Sequence, residues 1–591
     1  MTNKTSLPVL RKSVAKSGGC SVGGPQPITH DLIESMNLNH NSFSGIKITF
    51  INMPLRETAK PNVPPEGPGI LASIARRFGA EPYIIDLNGY RVKDELAMQS
   101  GLPNGRHLTY EEAEGYLLQH LNNAGDQDVI AFSGKITTLK WQEEFAKIVR
   151  RHQPDTFLVS GNGLATEIKS GLFSWIPELD AIARSEGDDA ILLILADAKT
   201  IKNVGLDKAY KTGQLSSYCL GHDGRKYRFR YEGNRPKFLD KIPYAALDLL
   251  ESDPFGYNVL EDYINTPVWG LAANNSSATS FTMKRSLTTV SSRGCPYACS
   301  FCYRGSQGER LYGMRSPEHI AQQVRGYVDS YDLDFIGFPD DNFAVDKRRI
   351  SKMVPVFKDY GLDQVRWGTH TRMDEGDERL IDMAESGCVY IGYGGESASE
   401  HTLTLMKKGG FTLKNGMETH KINGSNYEFP TTYVNAIRNT RDAGIHANCT
   451  WIMAFPGEEL KHLQTTIAFI LWQKELLSSD YPSGSPESEL AKTYVNSSLF
   501  TATAYPGTHM WNVCREDLEN HFDIKHNEAG EPICDDAFHN YVLELDDATK
   551  VLNDKNGEPV NFGAMPTDTF LKAREHVDNG EIEKVLEMEQ K

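Results

Sequence analysis

This sequence predicts an α/β fold built as two successive runs of strands and helices, and three observations support the prediction. Short apolar, β-branched runs alternate with stretches of helical periodicity along most of the chain. The predicted strands end in small, polar or glycine-rich turns. A length of 591 residues is too great for one core and divides into about three or four domains. The expected divisions are an arm over residues 1–43, a first α/β domain over 44–200, a connector over 201–286, a second α/β domain over 287–510 and a C-terminal, mostly helical extension over 511–591.

With 39% hydrophobic and 24% charged residues the composition is that of an ordinary globular protein. The net charge of -17 argues against broad attraction to nucleic acid or anionic membrane, so a small-molecule or peptide substrate is the better expectation. Nine cysteines, an odd total, of which Cys20, Cys219, Cys388, Cys449, Cys514 and Cys534 lie scattered without paired spacing, point to a reducing compartment. No stretch approaches a membrane span, and the polar N-terminus lacks the apolar core of a signal peptide; the expected location is cytoplasmic.

The first 43 residues carry Ser, Gly, Asn and Pro with little periodicity and predict a loosely ordered arm. The first strand is Ile46–Ile51, followed by Asn52-Met53-Pro54 and a Pro-rich loop. A helix beginning near Glu66 places Ile70, Leu71, Ile74 and Phe78 on one face. Tyr83–Asp86, Asp128–Phe132, Phe157–Val159 and Ala181–Ala183 read as further strands, with helices over Glu111–Leu121 and around Trp141, Phe145, Ile148 and Val149. Strands followed by helices argue for a parallel sheet wound on both faces, whose ligands bind beyond the carboxyl ends of the strands. Those ends are Ser133-Gly134, Ser160-Gly161-Asn162-Gly163 and Ser185-Glu186-Gly187. Glycine there lets a bulky ligand approach the backbone, although glycines end strands in many α/β domains. Periodicity then fades through the connector, which contains Ile242–Leu250 and the polar Asn274–Ser277.

The second run opens on Leu287-Thr-Thr-Val-Ser-Ser, turns at Arg293-Gly294 and continues as Cys295-Pro-Tyr-Ala-Cys299-Ser-Phe-Cys302. Three thiols on a loop leaving a strand can converge on one soft metal centre. Structural zinc wants four closed ligands, and no cysteine or histidine follows within the next ten residues. An iron–sulfur cluster held by three cysteines leaves one iron open. Three separate core thiols are the plain alternative. Ser316-Pro317-Glu318 starts a helix with Ile320, Val324, Tyr327 and Val328 on its buried face. Strands follow at Asp334–Phe338, Val365–Gly368, Val389–Tyr393, Ala447–Met453 and Ser498–Ala502. Two loops, Lys407–Pro430 and Ser478–Glu487, look like additions that carry specificity. The acidic tail holds a helix near Glu581–Met588 and suits either a cover over a site or an oligomer contact.

The spacing CxxxCxxC, with Phe301 just before the last cysteine, resembles the cluster loop of the radical S-adenosylmethionine (SAM) superfamily, and the resemblance runs from residue 287 to about 510. It implies a partial (β/α)6 barrel with chemistry at the strand ends. It also implies a 4Fe-4S cluster on Cys295, Cys299 and Cys302 whose open iron chelates SAM. The implied SAM contacts are Phe301, Asp340, Asp341, Arg372, Gly395, Glu396 and Ser397, with Asp341 toward the amino group and Arg372, Glu396 and Ser397 toward the carboxylate and ribose. Charged residues on barrel loops are otherwise mostly solvated. The first domain resembles the Rossmann-like cobalamin-binding domain that precedes many radical SAM domains, which implies corrinoid contacts at Ser133, Gly134, Gly161, Gly163, Glu186 and Gly187. The Ile242-Pro-Tyr segment is similar to the bridge between these domains. One departure is the absence of an Asp-x-His-x-x-Gly sequence after the first strand, so no histidine is offered to cobalt.

What the resemblance implies for function is a cobalamin-dependent radical SAM methyltransferase. Such an enzyme methylates an unactivated carbon of a small metabolite or peptide through a 5′-deoxyadenosyl radical and methylcobalamin, with flavodoxin or ferredoxin as electron donor. A ring-closing or rearranging enzyme uses the same cofactors. A transfer-RNA methylthiotransferase shares the barrel, but Cys20 alone before the connector does not supply the three cysteines of a second cluster. A cobalamin or SAM sensor without turnover is the remaining alternative.

Overall fold

The computed structural model describes residues 29–55, 57, 63–215, 218–222, 227–236, 239–265, 283–303, 312–545 and 550–589. Strands β1 (Lys47–Asn52), β2 (Glu81–Asp86), β3 (Val129–Ser133), β4 (Phe157–Gly161) and β5 (Ala181–Ser185) are joined by β6 (Tyr218–His222) and β7 (Tyr227–Gly233) in one sheet of order β2-β1-β3-β4-β5-β7-β6. All neighbours are parallel except β6 with β7. The central strands are near-continuous apolar runs because helices cover both faces: Ile48, Phe50 and Ile51 of β1 and Val129 and Ile130 of β3 are buried. Chain order reverses at β1, so the crevice lies between the carboxyl ends of β1 and β3.

Two parts of the sequence reading change here. The expected arm includes a helix, Thr29–Ser35, which seats Leu32 in the core; residues 1–28, with Cys20, lie outside the described residues. The connector contributes two strands to the first sheet. In β7 Phe229 and Tyr231 point into the core, while Arg228 and Arg230 are partly exposed between them. Asn274–Ser277 lie outside the described residues.

The second sheet begins with β8 (Ser286–Thr288). A two-stranded antiparallel ladder, β9 (Ser292–Arg293) with β10 (Gly313–Met314), brackets the cysteine loop. Strands β11 (Phe335–Phe338), β12 (Arg366–Arg372) and β13 (Cys388–Glu396) follow. The expected loop 407–430 carries a hairpin, β14 (Met417–Ile422) with β15 (Ser425–Pro430), and β16 (His446–Met453) and β17 (Leu499–Thr501) complete the set. Six strands pair in the order β8-β11-β12-β13-β16-β17, all parallel and in chain order, which is a singly wound half-barrel. The helix Pro317–Tyr331 starts where the sequence places it: the Ser316 side chain accepts from the His319 N–H, and Pro317 occupies the first position.

The sheets meet through charged and polar side chains. Glu66, at the start of helix Glu66–Arg77, is buried and accepts from the Thr289 hydroxyl (2.9 Å) and the Val290 N–H (2.8 Å), just past β8. Arg293 reaches Asp188 (2.6 Å) and Glu186 (3.0 Å), and Arg235 also holds Glu186 (2.7 Å). The C-terminal helices touch both halves: His539 meets Glu143 (2.5 Å) on the first, and Arg574 donates to the Leu499 carbonyl (2.7 Å) on the second. Among the described residues no helix is long and apolar enough to cross a membrane.

Candidate active site

The cysteine loop is fixed at its leading end by the turn after β11. Asp340 accepts from the Ser291 N–H (2.8 Å), the Ser291 hydroxyl (2.5 Å) and the Ser292 hydroxyl (2.6 Å), and Asp341 accepts from the Gly294 N–H (2.9 Å). Gly294 has a φ of 81°, a left-handed turn that favours glycine and points the chain away from the sheet. Further along, the Ser300 N–H donates to the Met406 carbonyl (2.9 Å), and the Ser300 carbonyl accepts from the Met510 N–H (2.8 Å). Phe301 meets Phe455 edge-on, with ring centroids 6.5 Å apart.

All three thiols line one cavity of about 230 Å³ at the carboxyl end of the half-barrel, together with Phe301, Asp341, Arg372, Glu396 and Lys408. Among the described residues no three His, Cys, Asp or Glu side chains converge closely enough to hold a single metal ion. Thiols spread around one cavity suit a multi-iron cluster, whose thiolates ligate different irons, better than a zinc ion. Burial pushes the Cys295 thiol up to about 11, so it is protonated until a cation displaces the proton.

The charged rim is ordered. The Arg372 guanidinium lies 4.1 Å from the centre of the Tyr297 ring, forms a two-toothed pair with Asp374 (2.9 and 2.6 Å) and donates to the Cys299 sulfur at 3.2 Å. Lys408, 3% exposed, donates to the Gly394 carbonyl (2.6 Å) and lies 3.4 Å from Glu396. Glu396 itself has a φ of 66°, a costly conformation for a side chain other than glycine. Lys408 and Glu396 therefore sit side by side on the wall of a cavity that Arg372 and Asp341 also line.

Three expected SAM contacts do not line this cavity. The carboxylate of Asp340 is occupied with Ser291 and Ser292 behind the rim. Gly395 is small because a Cβ there would lie 2.6 Å from Trp451, and Ser397 is buried against the Thr466 hydroxyl (3.0 Å). Conversely, Lys408 was not legible, because the sequence places it in an added loop. Register identifies others. His370, Gly392 and Asn448 share one level of the sheet, below Arg372, Gly394 and Thr450, and all six line the cavity. A Cβ on Gly392 would lie 2.3 Å from the His370 ring, so the glycine makes room for the imidazole. Asn448 donates to the Tyr390 hydroxyl (2.9 Å), and its buried carbonyl oxygen has no protein partner.

At the first sheet's strand ends the expected corrinoid contacts separate into two groups. Ser133, Gly161 and Gly163 form one rim, with the Asn162 amide 3.3 Å from the Ser133 hydroxyl. Gly161 meets nothing closer than 3.7 Å from an added Cβ, leaving its approach open. Gly163 lies under Tyr303, the residue after Cys302, whose hydroxyl donates to the Gly163 carbonyl (3.3 Å). The other three answer to the protein's own packing. A Cβ on Gly134 would strike Thr138 at 2.1 Å, one on Gly187 would press on Leu71 at 3.1 Å, and Glu186 is held by Arg235 and Arg293.

The turn after β16 supplies a pH-dependent element. Glu458 is fully buried, accepts from the Ala454 N–H (2.7 Å), and has its carboxyl pushed up to about 8 by burial. Between the ordinary 4.5 and about 8, the unfolded chain has lost this proton and the folded chain has kept it. Stability therefore falls as pH rises through that window. Glu458→Gln is expected to flatten the fall, read as the difference in melting temperature between pH 5 and pH 8. An unchanged pH slope in the variant would show that another group governs it.

Residues 289–470 match the Radical SAM superfamily. That stretch carries a radical SAM domain. The radical SAM match begins at the end of β8 and takes in the cysteine loop and the strands through β16. An uncharacterized methyltransferase, PH0819, of Pyrococcus horikoshii is 24% identical over 400 residues, spanning 65% of this chain and 69% of that protein. The anaerobic magnesium-protoporphyrin IX monomethyl ester cyclase of Cereibacter sphaeroides is 23% identical over 357 residues, 59% of this chain and 50% of the cyclase. Among solved structures, the cobalamin-dependent S-adenosylmethionine radical enzyme OxsB superposes with a TM-score of 0.55 at 16% identity, covering 85% of this chain and 65% of that one. The radical S-adenosylmethionine methyltransferase TsrM from Kitasatospora setae does so with a TM-score of 0.54 at 13% identity, covering 91% and 88%. At these identities the structural likeness is one of fold.

Proposed function

We propose that this radical SAM chain is a cobalamin-dependent methyltransferase acting on an unactivated carbon of a small metabolite or peptide. The observation that carries the proposal is the placement of three thiols around one cavity at the half-barrel's mouth, with the cysteine loop reaching the first sheet's ligand end through Tyr303 and Gly163. The likeness to OxsB and TsrM, and the methyltransferase relative from Pyrococcus horikoshii, support it.

On this reading Cys295, Cys299 and Cys302 hold a 4Fe-4S cluster, and Ser133, Asn162 and Gly161 receive the polar periphery of a corrinoid. When bound, these groups supply radical chemistry with SAM and a transferable methyl group. The chain's own residues bind and orient. Asp341 and Glu396 present carboxylates to the SAM ammonium, and Lys408 presents a cation to its carboxylate, each pairing strengthened by burial. Phe301 and Phe455 close the apolar side and keep water from the reacting atoms. His370 and Asn448, one level deeper, offer hydrogen bonds to a ligand in the lumen.

The test is protein purified without oxygen from cobalamin-fed cells, assayed with SAM, a reductant and candidate substrates. A corrinoid at one per chain, with 5′-deoxyadenosine and S-adenosylhomocysteine as joint products, is the expected result. The cyclase relatives favour one second reading, ring closure with the same cofactors. Deoxyadenosine formed without S-adenosylhomocysteine would select it and discard methylation.

A further inference from the structure

Arg372 is expected from sequence to meet SAM, yet its hydrogen bonds are spent elsewhere. Nε and Nη2 face Asp374 (2.9 and 2.6 Å), Nη2 also lies 3.4 Å from the Lys408 carbonyl and 3.5 Å from the Thr412 hydroxyl, and Nη1 donates to Cys299 Sγ at 3.2 Å. The residue is 6% exposed and its flat face rests on Tyr297. Asp374 and Tyr297 together hold the guanidinium plane, so the N–H aimed at sulfur has little freedom to turn toward another acceptor.

We infer that Arg372 is a positioning residue for the cluster, and that its N–H donation to the Cys299 sulfur sets the cluster's reduction potential. The inference rests on the cluster reading above. Reduction adds negative charge to the iron–sulfur core and its thiolates, and a charge-assisted N–H to sulfur stabilises the more negative state. A chain lacking the donor therefore holds its cluster at lower potential and takes an electron less readily. Asp374, which offsets part of the guanidinium charge, acts in the opposite sense.

The test is an anaerobic redox titration of reconstituted full-length protein without SAM, followed by the electron paramagnetic resonance signal of the reduced cluster. Iron, sulfide and SAM binding are measured on the same samples. Arg372→Met is expected to keep its iron and sulfide and to show a reduced-to-oxidised ratio about tenfold smaller at a fixed potential, which is ~59 mV for a one-electron couple. Arg372→Lys, which loses the planar fork but keeps the charge, should fall between. Asp374→Asn should shift upward, a reversal that general loosening of the site does not produce. Midpoints unchanged in Arg372→Lys and Asp374→Asn, with SAM binding tenfold weaker in Arg372→Lys, would overturn the inference and return Arg372 to the SAM site. Wild-type protein that takes up no iron and sulfide would overturn both the inference and the reading beneath it.

Discussion

Cys299→Ala is expected to reduce SAM cleavage to the level of a no-enzyme control. The thiol lines the same cavity as Cys295 and Cys302 and receives the Arg372 N–H, so its removal takes away one of the three proposed cluster ligands and strands a buried donor. A three-cysteine cluster has no spare ligand. Iron and sulfide content should fall with the activity. Corrinoid binding should largely persist, because Ser133, Gly161 and Asn162 belong to a separate sheet. Simultaneous loss of corrinoid would show that the halves do not bind independently, and full SAM cleavage by the variant would remove the basis of the proposed chemistry.

The second large effect is on stability. Arg293→Met is expected to destabilise the protein by ~3–5 kcal/mol, the usual cost of leaving the partner of a buried ion pair uncompensated. Burial alone would lower the Arg293 pKa, but Asp188 and Glu186 more than offset that, and the guanidinium stays charged. Without it Asp188, 3% exposed, has lost its 2.6 Å cation, while Glu186 keeps Arg235. The effect should be read as the first unfolding transition in denaturant, since a chain of several domains need not melt in one step. Arg293→Met combined with Asp188→Leu should recover much of the loss. A single variant with the parent's transition would mean that this pair does not bind the halves together.

Most strands of both sheets were legible because parallel strands covered on both faces must be apolar along their length, as in β1 and β3. The cysteine loop was legible from local signals, a β-branched run, a glycine turn and closely spaced thiols, whereas the half-barrel was implied by the resemblance those residues carry. β7 was missed although Phe229 and Tyr231 alternate with Arg228 and Arg230, because the surrounding stretch is polar and its neighbour β6 is short. The expected site residues that lie behind the rim share one cause. Glu186 finds partners 49 and 107 residues away, and Gly395 is small because Trp451 of the next strand packs over it. Nothing near either position in sequence announces such a partner. Lys408 is the converse case: an ordinary loop lysine in sequence, it becomes a buried cation because helix Glu400–Leu405 turns its backbone under the end of β13.

The C-terminal helices that touch both sheets bear on how the molecule is put together in the cell. Synthesis runs from the N-terminus, so the two sheets leave the ribosome before the belt formed by His539 against Glu143 and Arg574 against Leu499 exists to cinch them. During that interval the halves hold to each other through contacts such as Glu66 with Thr289, Arg293 with Asp188 and Tyr303 with Gly163. The C-terminal helices therefore come last, fastened across halves that already touch.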